Sequence, residues 1–137
     1  MKIYYAMSIS GEQNSDSDKT NTTLIKYLKN FGEVLTEHFS NPDFKGIGET
    51  EISNKAIHNR DINWLLSADA VVAEVSNVSL GVGYEIGRAV EHKKKILCIR
   101  KKSEKRLSAM ISGCEALTLN EYTSVVEAKY FIDKFFQ

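Results

Sequence analysis

Short apolar runs rich in β-formers and amphipathic segments of helical period alternate along the whole chain, and this alternation leaves few folds open. The β-like runs fall at Lys2–Met7, Glu33–Thr36, Ala70–Val75, Lys95–Ile99 and Ala116–Leu119. Helical periodicity occupies Lys19–Phe31, Glu51–Ser67, Val82–His92, the shorter Lys105–Ser112, and Val125–Phe136. Strand followed by helix, repeated, predicts a parallel sheet, because parallel neighbours need a connection long enough to carry the chain back to the same end. KIYYAM and DAVVAEV are apolar at successive positions instead of alternating, so they are expected to be central strands covered on both faces. The expectation is a single α/β domain over residues 1–137. Its core is a five-stranded parallel sheet of order 2-1-3-4-5, flavodoxin-like or Rossmann-like and doubly wound.

A chain of 137 residues supports one continuous core without metal or disulfide staples. Eighteen basic residues balance eighteen acidic ones, which argues against a dedicated duplex nucleic-acid binder and points to a small ligand. The two cysteines, Cys98 in an apolar run and Cys114 after a glycine, form no CxxC pair and read as buried thiols. His38, His58 and His92 fall on three separate elements, so no metal and no other cofactor is expected. The apolar start is too short for a secretory core, and no segment approaches the about 20 apolar residues of a membrane span. A soluble cytoplasmic protein with neither membrane nor nucleic-acid partners is expected.

In a sheet of order 2-1-3-4-5, ligands settle in the crevice beyond the carboxyl ends of strands one and three. Two loops open there: SISGEQNSDSD after strand one and SNVSLGVG after strand three. Their composition suits polar contact, and equally suits turns chosen for backbone freedom. Gly81 and Gly83 frame a helix start, where free N–H groups accept an anion. The spacing Gly81-x-Gly83-x-x-x-Gly87 is not the dinucleotide fingerprint, so no nicotinamide cofactor is expected.

Glu85 reads as a first-turn residue of that helix, held ionised by the helix dipole. It is either a helix-capping glutamate or a positioned nucleophile. Asp61 shares a ridge with Ile57 and Leu65, so it reads as a buried carboxylate, either hydrogen-bonded for structure or raised by desolvation to hold a proton. One carboxylate kept charged and one holding a proton are what retaining cleavage of a glycosidic bond requires. A nucleobase is a leaving group such a pair can release.

The segments IYYAMSISG, IHNRDINWLLSADAVVAEVS, SLGVGYEIGRAV, KILCI and LSAMISG, in this order and spacing, resemble the 2′-deoxynucleoside 5′-monophosphate N-glycosidases of the nucleoside 2-deoxyribosyltransferase superfamily. The resemblance covers nearly the whole chain and implies one nucleoside 2-deoxyribosyltransferase-like domain. It implies that Glu85 attacks the anomeric carbon, that Asp61 assists departure of the base, and that Tyr4 stands near sugar and nucleophile. It places Met7, Ser8, Ile9, Ser10 and Gly11 of the first loop, with Ser79 and Gly81 of the second, against the substrate. It also implies a homodimer, in which Ser108 reaches the neighbouring protomer's site and Met110 lies beside the base.

Two positions depart from the family pattern. Met7 and Ser10 stand where deoxynucleotide hydrolases have a glycine and a phosphate-gripping arginine, and Glu12, Asp16 and Asp18 follow. Losing a guanidinium fork weakens charge pairing with a 5′-phosphate. Arg88, Lys93, Lys94, Lys95, Arg100, Lys101, Lys102, Lys105 and Arg106 form a basic stretch that is either a compensating source or a solvated surface. Trp64 is either core or a stacking surface. The expected activity is hydrolysis of (2′-deoxy)nucleoside 5′-monophosphates to free base and sugar 5-phosphate. The alternatives are a deoxyribosyltransferase or nucleoside hydrolase on unphosphorylated nucleosides, and a non-catalytic nucleotide-binding module.

Overall fold

The computed structural model describes residues 1–9, 15–38 and 52–137. In chain order the elements are β1 (Lys2–Met7), α1 (Asp16–Leu28), β2 (Glu33–Leu35), α2 (Asn54–Ser67), β3 (Ala70–Glu74), α3 (Leu80–Glu91), β4 (Lys95–Lys101), α4 (Ala109–Ser112), β5 (Thr118–Tyr122) and α5 (Val125–Phe136). The five strands form one parallel sheet of order β2-β1-β3-β4-β5, as the alternation of strand and helix requires. β1 and β3 are central neighbours, with Tyr4 opposite Val71 and Met7 opposite Glu74.

Successive residues of the apolar strands go to opposite faces. Tyr4 and Ala6 of β1, Val71 and Ala73 of β3, and Ile96 and Cys98 of β4 pack against Leu65 of α2 and Val82, Ile86 and Ala89 of α3. Ile3, Tyr5, Val72, Leu97 and Ile99 pack the other way, against Leu24, Ile25 and Leu28 of α1 and Ala128 and Ile132 of α5. Both sides of the sheet are thus filled. Cys98 is fully buried, and that burial pushes its thiol up to about 12; Cys114 is only half-buried.

Several helices begin earlier or later than periodicity alone suggests, because serine side chains set their first turns. Ser15, Ser53, Ser79 and Ser124 each accept a backbone N–H three residues on. The cap at Ser15 starts α1 at Asp16, so Asp16 and Asp18 belong to a helix turn and not to a loop. Ser79 starts α3 at Leu80, which moves Glu85 from the expected first turn into the second. The expected helix start at Glu51 lies outside the described residues, as do Ser10, Gly11 and Glu12. No described helix is long and apolar enough to cross a membrane.

The turn leaving β3 is fastened by a buried carboxylate. Glu74, 7% exposed, accepts the Ser76 N–H at 2.6 Å, the Ser76 hydroxyl at 2.9 Å and the Tyr122 hydroxyl of β5. The Lys101 N–H donates to Ser76 Oγ at 2.8 Å, tying β4 to the same turn. This fixes the takeoff of the loop that reaches Ser79 and α3.

Candidate active site

The carboxyl ends of β1 and β2 and the facing sides of α2 and α3 enclose a cavity of about 480 Å³. Tyr4, Met7, Ser8 and Ile9 enter it from β1 and the residues after it, and Thr36 and Glu37 from the end of β2. α2 contributes Ile57, His58, Asp61 and Ile62. The turn after β3 and the start of α3 contribute Val78, Ser79, Gly81, Val82, Tyr84 and Glu85.

Eight of the expected site residues therefore converge: Tyr4, Met7, Ser8, Ile9, Asp61, Ser79, Gly81 and Glu85. Ser10 and Gly11 lie outside the described residues. Ser108 and Met110 do not line this cavity. They line a neighbouring groove of about 640 Å³, which shares Val78, Ser79 and Val82 with it. There Ser108 caps the short α4 by accepting the Met110 N–H at 3.2 Å, and Met110 is 83% exposed.

Tyr4 and Glu85 form the centre. The Tyr4 side chain, on the face of β1 that α3 covers, donates its hydroxyl proton to Glu85 Oε2. The expectation that the helix dipole keeps Glu85 ionised is corrected here. In the second turn the dipole is weak, and burial pushes the carboxyl up to about 7; the Tyr4 hydrogen bond opposes the shift and the Glu37 carboxylate adds to it. At neutral pH the carboxyl sits near its midpoint. Burial first, then the Glu85 charge, raise the Tyr4 phenol well above its ordinary value, so it stays a proton donor.

Asp61 faces the cavity from α2 with its side chain 13% exposed, less buried than its place on the apolar ridge suggests. Arg60 explains why the carboxylate is tolerated there. Its Nε donates to Asp61 Oδ1 at 3.0 Å, and its Nη2 lies 3.1 Å from Glu37 Oε1. The same guanidinium stands 4.9 Å from the Trp64 ring centroid; Trp64 packs on the core and does not line the cavity.

Periodicity does not reveal Glu37, His58 or Tyr84. Glu37 sits just past a three-residue strand with no local signature, and only the pairing of β2 beside β1 brings it to the cavity. His58 and Tyr84 are joined across α2 and α3 by a 2.9 Å contact between Nε2 and the phenol oxygen. His38 is buried and bonded to Asp18 Oδ1 at 2.6 Å, fastening the start of α1 to the end of β2.

The described lining holds three carboxylates and no lysine or arginine. Much of the basic stretch is committed elsewhere. Lys94 donates to the Leu66 and Ala68 carbonyls, Lys95 to the Phe135 carbonyl, and Arg100 to Glu121 and the Lys105 carbonyl. Lys105 and Arg106 border the neighbouring groove. Among the described residues no group of three or more His, Cys, Asp or Glu is placed to hold a metal ion.

Residues 3–129 match the nucleoside 2-deoxyribosyltransferase family. The chain is 48% identical over 120 residues to the 5-hydroxymethyl-dUMP N-hydrolase of Danio rerio, covering 87% of this chain and 82% of that protein. It is 45% identical over 114 residues to the 5-hydroxymethyl-dUMP N-hydrolase of Homo sapiens, covering 81% and 64%. Among solved structures, a CMP N-glycosidase from Clostridium botulinum superposes with a TM-score of 0.72 at 19% identity, covering 98% of this chain and 99% of that one. A 2-deoxyribosyltransferase from Bacillus psychrosaccharolyticus superposes with a TM-score of 0.65 at 13% identity, covering 94% and 90%.

Proposed function

The chain belongs to the nucleoside 2-deoxyribosyltransferase family, and on that premise we propose that it is an N-glycosidase releasing the free base from 2′-deoxynucleoside 5′-monophosphates. The observation that carries this reading is the Tyr4–Glu85 pair facing Asp61 in one cavity. Ionised Glu85 attacks the anomeric carbon, and the C–N bond to the base breaks with its electron pair going to the base. Asp61 assists that departure from α2. Tyr4 holds the attacking carboxylate by donating to its second oxygen. Water then takes the sugar from Glu85, giving the sugar 5-phosphate with retained configuration and restoring the carboxylate. Ser8, Ile9, Ser79 and Gly81 contact the sugar 5-phosphate. No cofactor takes part.

The lining's three carboxylates and lack of a described cation favour a second reading, in which unphosphorylated nucleosides are hydrolysed or passed to an acceptor base. Overnight incubation with deoxynucleoside monophosphates and free nucleosides, with and without a second base, separates them by the bases released. Release from monophosphates without an acceptor supports the hydrolase. Release from nucleosides alone, or only with an acceptor present, supports the second reading.

The working unit is a homodimer in the cytoplasm. Val78, Leu80 and Met110 are almost fully exposed and border the apolar groove beside the cavity, a surface that a second copy would cover. Across that interface Ser108 and Met110 complete the partner's cavity. Leu80→Asp is expected to give monomers on gel filtration and to lose activity; an active monomer overturns the shared site.

A further inference from the structure

The bond that breaks joins the anomeric carbon to the base, so the base lies on the side of the cavity where Asp61 stands. On α2, Ile57 and His58 precede Asp61 by four and three positions and share its face, one turn toward the helix start. Across the cavity, Tyr84 precedes Glu85 on α3. The His58 and Tyr84 side chains meet between the two helices, and both line the cavity. The His58 and Tyr84 rings lie 5.6 Å apart between centroids, tilted by 40°. Arg88 Nη1 donates to the Tyr84 phenol oxygen at 2.6 Å, and its guanidinium lies 5.6 Å from the Tyr84 ring centroid.

The donors and acceptors of this cluster fit one arrangement. With Arg88 donating to the phenol oxygen, the Tyr84 hydroxyl proton goes to His58 Nε2, and the His58 Nδ1–H donates to Asn59 Oδ1 at 3.0 Å. The polar edges of both rings are thus spent on protein partners, and what they offer the cavity is ring surface; Ile57 lines the same cavity. Tyr84 nevertheless remains 47% exposed, a large aromatic held in place by His58 and Arg88 without being part of the core.

We propose that Tyr84 and His58, bridging α2 and α3, form the platform against which the leaving nucleobase lies. The inference rests on the reading of Glu85 and Asp61 given above. Recognition through ring faces accepts any base, since every base has a π-face, and places selectivity on size and on contacts from the far side of the cavity.

The test separates base from sugar. Adenine and 2-deoxyribose 5-phosphate are titrated separately into wild type, Tyr84→Leu and Tyr84→Phe by calorimetry, alongside turnover of dAMP. Tyr84→Leu is expected to weaken adenine binding and raise KM by about tenfold, with kcat within about twofold and sugar-phosphate binding unchanged. Tyr84→Phe, which keeps the ring, is expected to retain adenine binding. The platform is overturned if the wild type does not bind adenine, if Tyr84→Leu weakens both ligands equally or neither, or if Tyr84→Phe is as impaired as Tyr84→Leu. Absence of wild-type turnover on any nucleotide or nucleoside would sink the glycosidase reading, whereas turnover without the binding split would sink the platform alone.

Discussion

Glu85→Gln should abolish turnover and at the same time make the protein more stable in alkaline buffer. The folded chain holds the Glu85 carboxyl at about 7, whereas in the unfolded chain it titrates near its ordinary 4.5. Between these values the folded state keeps a proton that the unfolded state has shed, so stability falls as pH rises through the window. The associated stability is fully present below 4.5 and fully lost above about 7. At about 1.4 kcal/mol per pH unit, this displacement makes the ionised carboxylate cost roughly 3 kcal/mol of fold stability at pH 8.5. Glutamine has nearly the same shape, still accepts the Tyr4 proton and carries no charge to desolvate. Urea unfolding of both proteins should therefore show Glu85→Gln more stable by roughly 3 kcal/mol at pH 8.5, about 10 °C in Tm, and nearly equal at pH 4.5. A stability difference that is absent, or the same at both pH values, would mean that burial does not hold this carboxyl near neutrality.

Four further outcomes follow from the geometry. Activity should rise with pH through about 7 as Glu85 ionises, and Tyr4→Phe, by removing the hydrogen bond that favours the carboxylate, should move that limb upward by about one unit and cut the rate at pH 7 about fivefold; a pH–rate profile checks both. Asp61→Asn should lower kcat by about a hundredfold or more for natural bases, and much less for a 4-nitrophenyl glycoside, whose leaving group needs no assistance. Gly32→Ala would place a Cβ 2.2 Å from the Met1 carbonyl oxygen, a backbone atom, so the start of β1 must shift at a cost of about 2 kcal/mol, readable in thermal melting by circular dichroism.

Strand order was legible because βαβ connectivity and two unbroken apolar runs leave little choice. The faces were not, since Ile3, Tyr4, Tyr5 and Ala6 are all 2% exposed or less, and a run buried on both sides hides its own alternation. The strand pattern does not tell Tyr4 from Tyr5; the resemblance pointed to Tyr4, and in the structure it is Tyr4 that faces the helix carrying Glu85. Helix starts shifted for a local reason: the capping serines precede the apolar stripe that periodicity detects, by enough at α3 to change the turn in which Glu85 lies. Glu85 and Asp61 stood out by position, at a helix start and on an apolar ridge, and the family resemblance supplied their roles. Glu37, His58 and Tyr84 were not, because each gains its meaning from a neighbour on another element. The charge of Glu85 was misjudged for the same cause, since desolvation by distant segments outweighs the dipole of its own helix.

If Glu85 carries the sugar between two displacements, the stereochemistry of the product records it. Nucleotides are β-configured, and methanol added to the reaction intercepts the sugar as a methyl glycoside that no longer equilibrates between anomers. Proton NMR of the product from a 2′-deoxynucleoside 5′-monophosphate should show the β-methyl glycoside, formed by wild type and absent with Glu85→Gln. The α-methyl glycoside would mean a single displacement by solvent and would contradict the account.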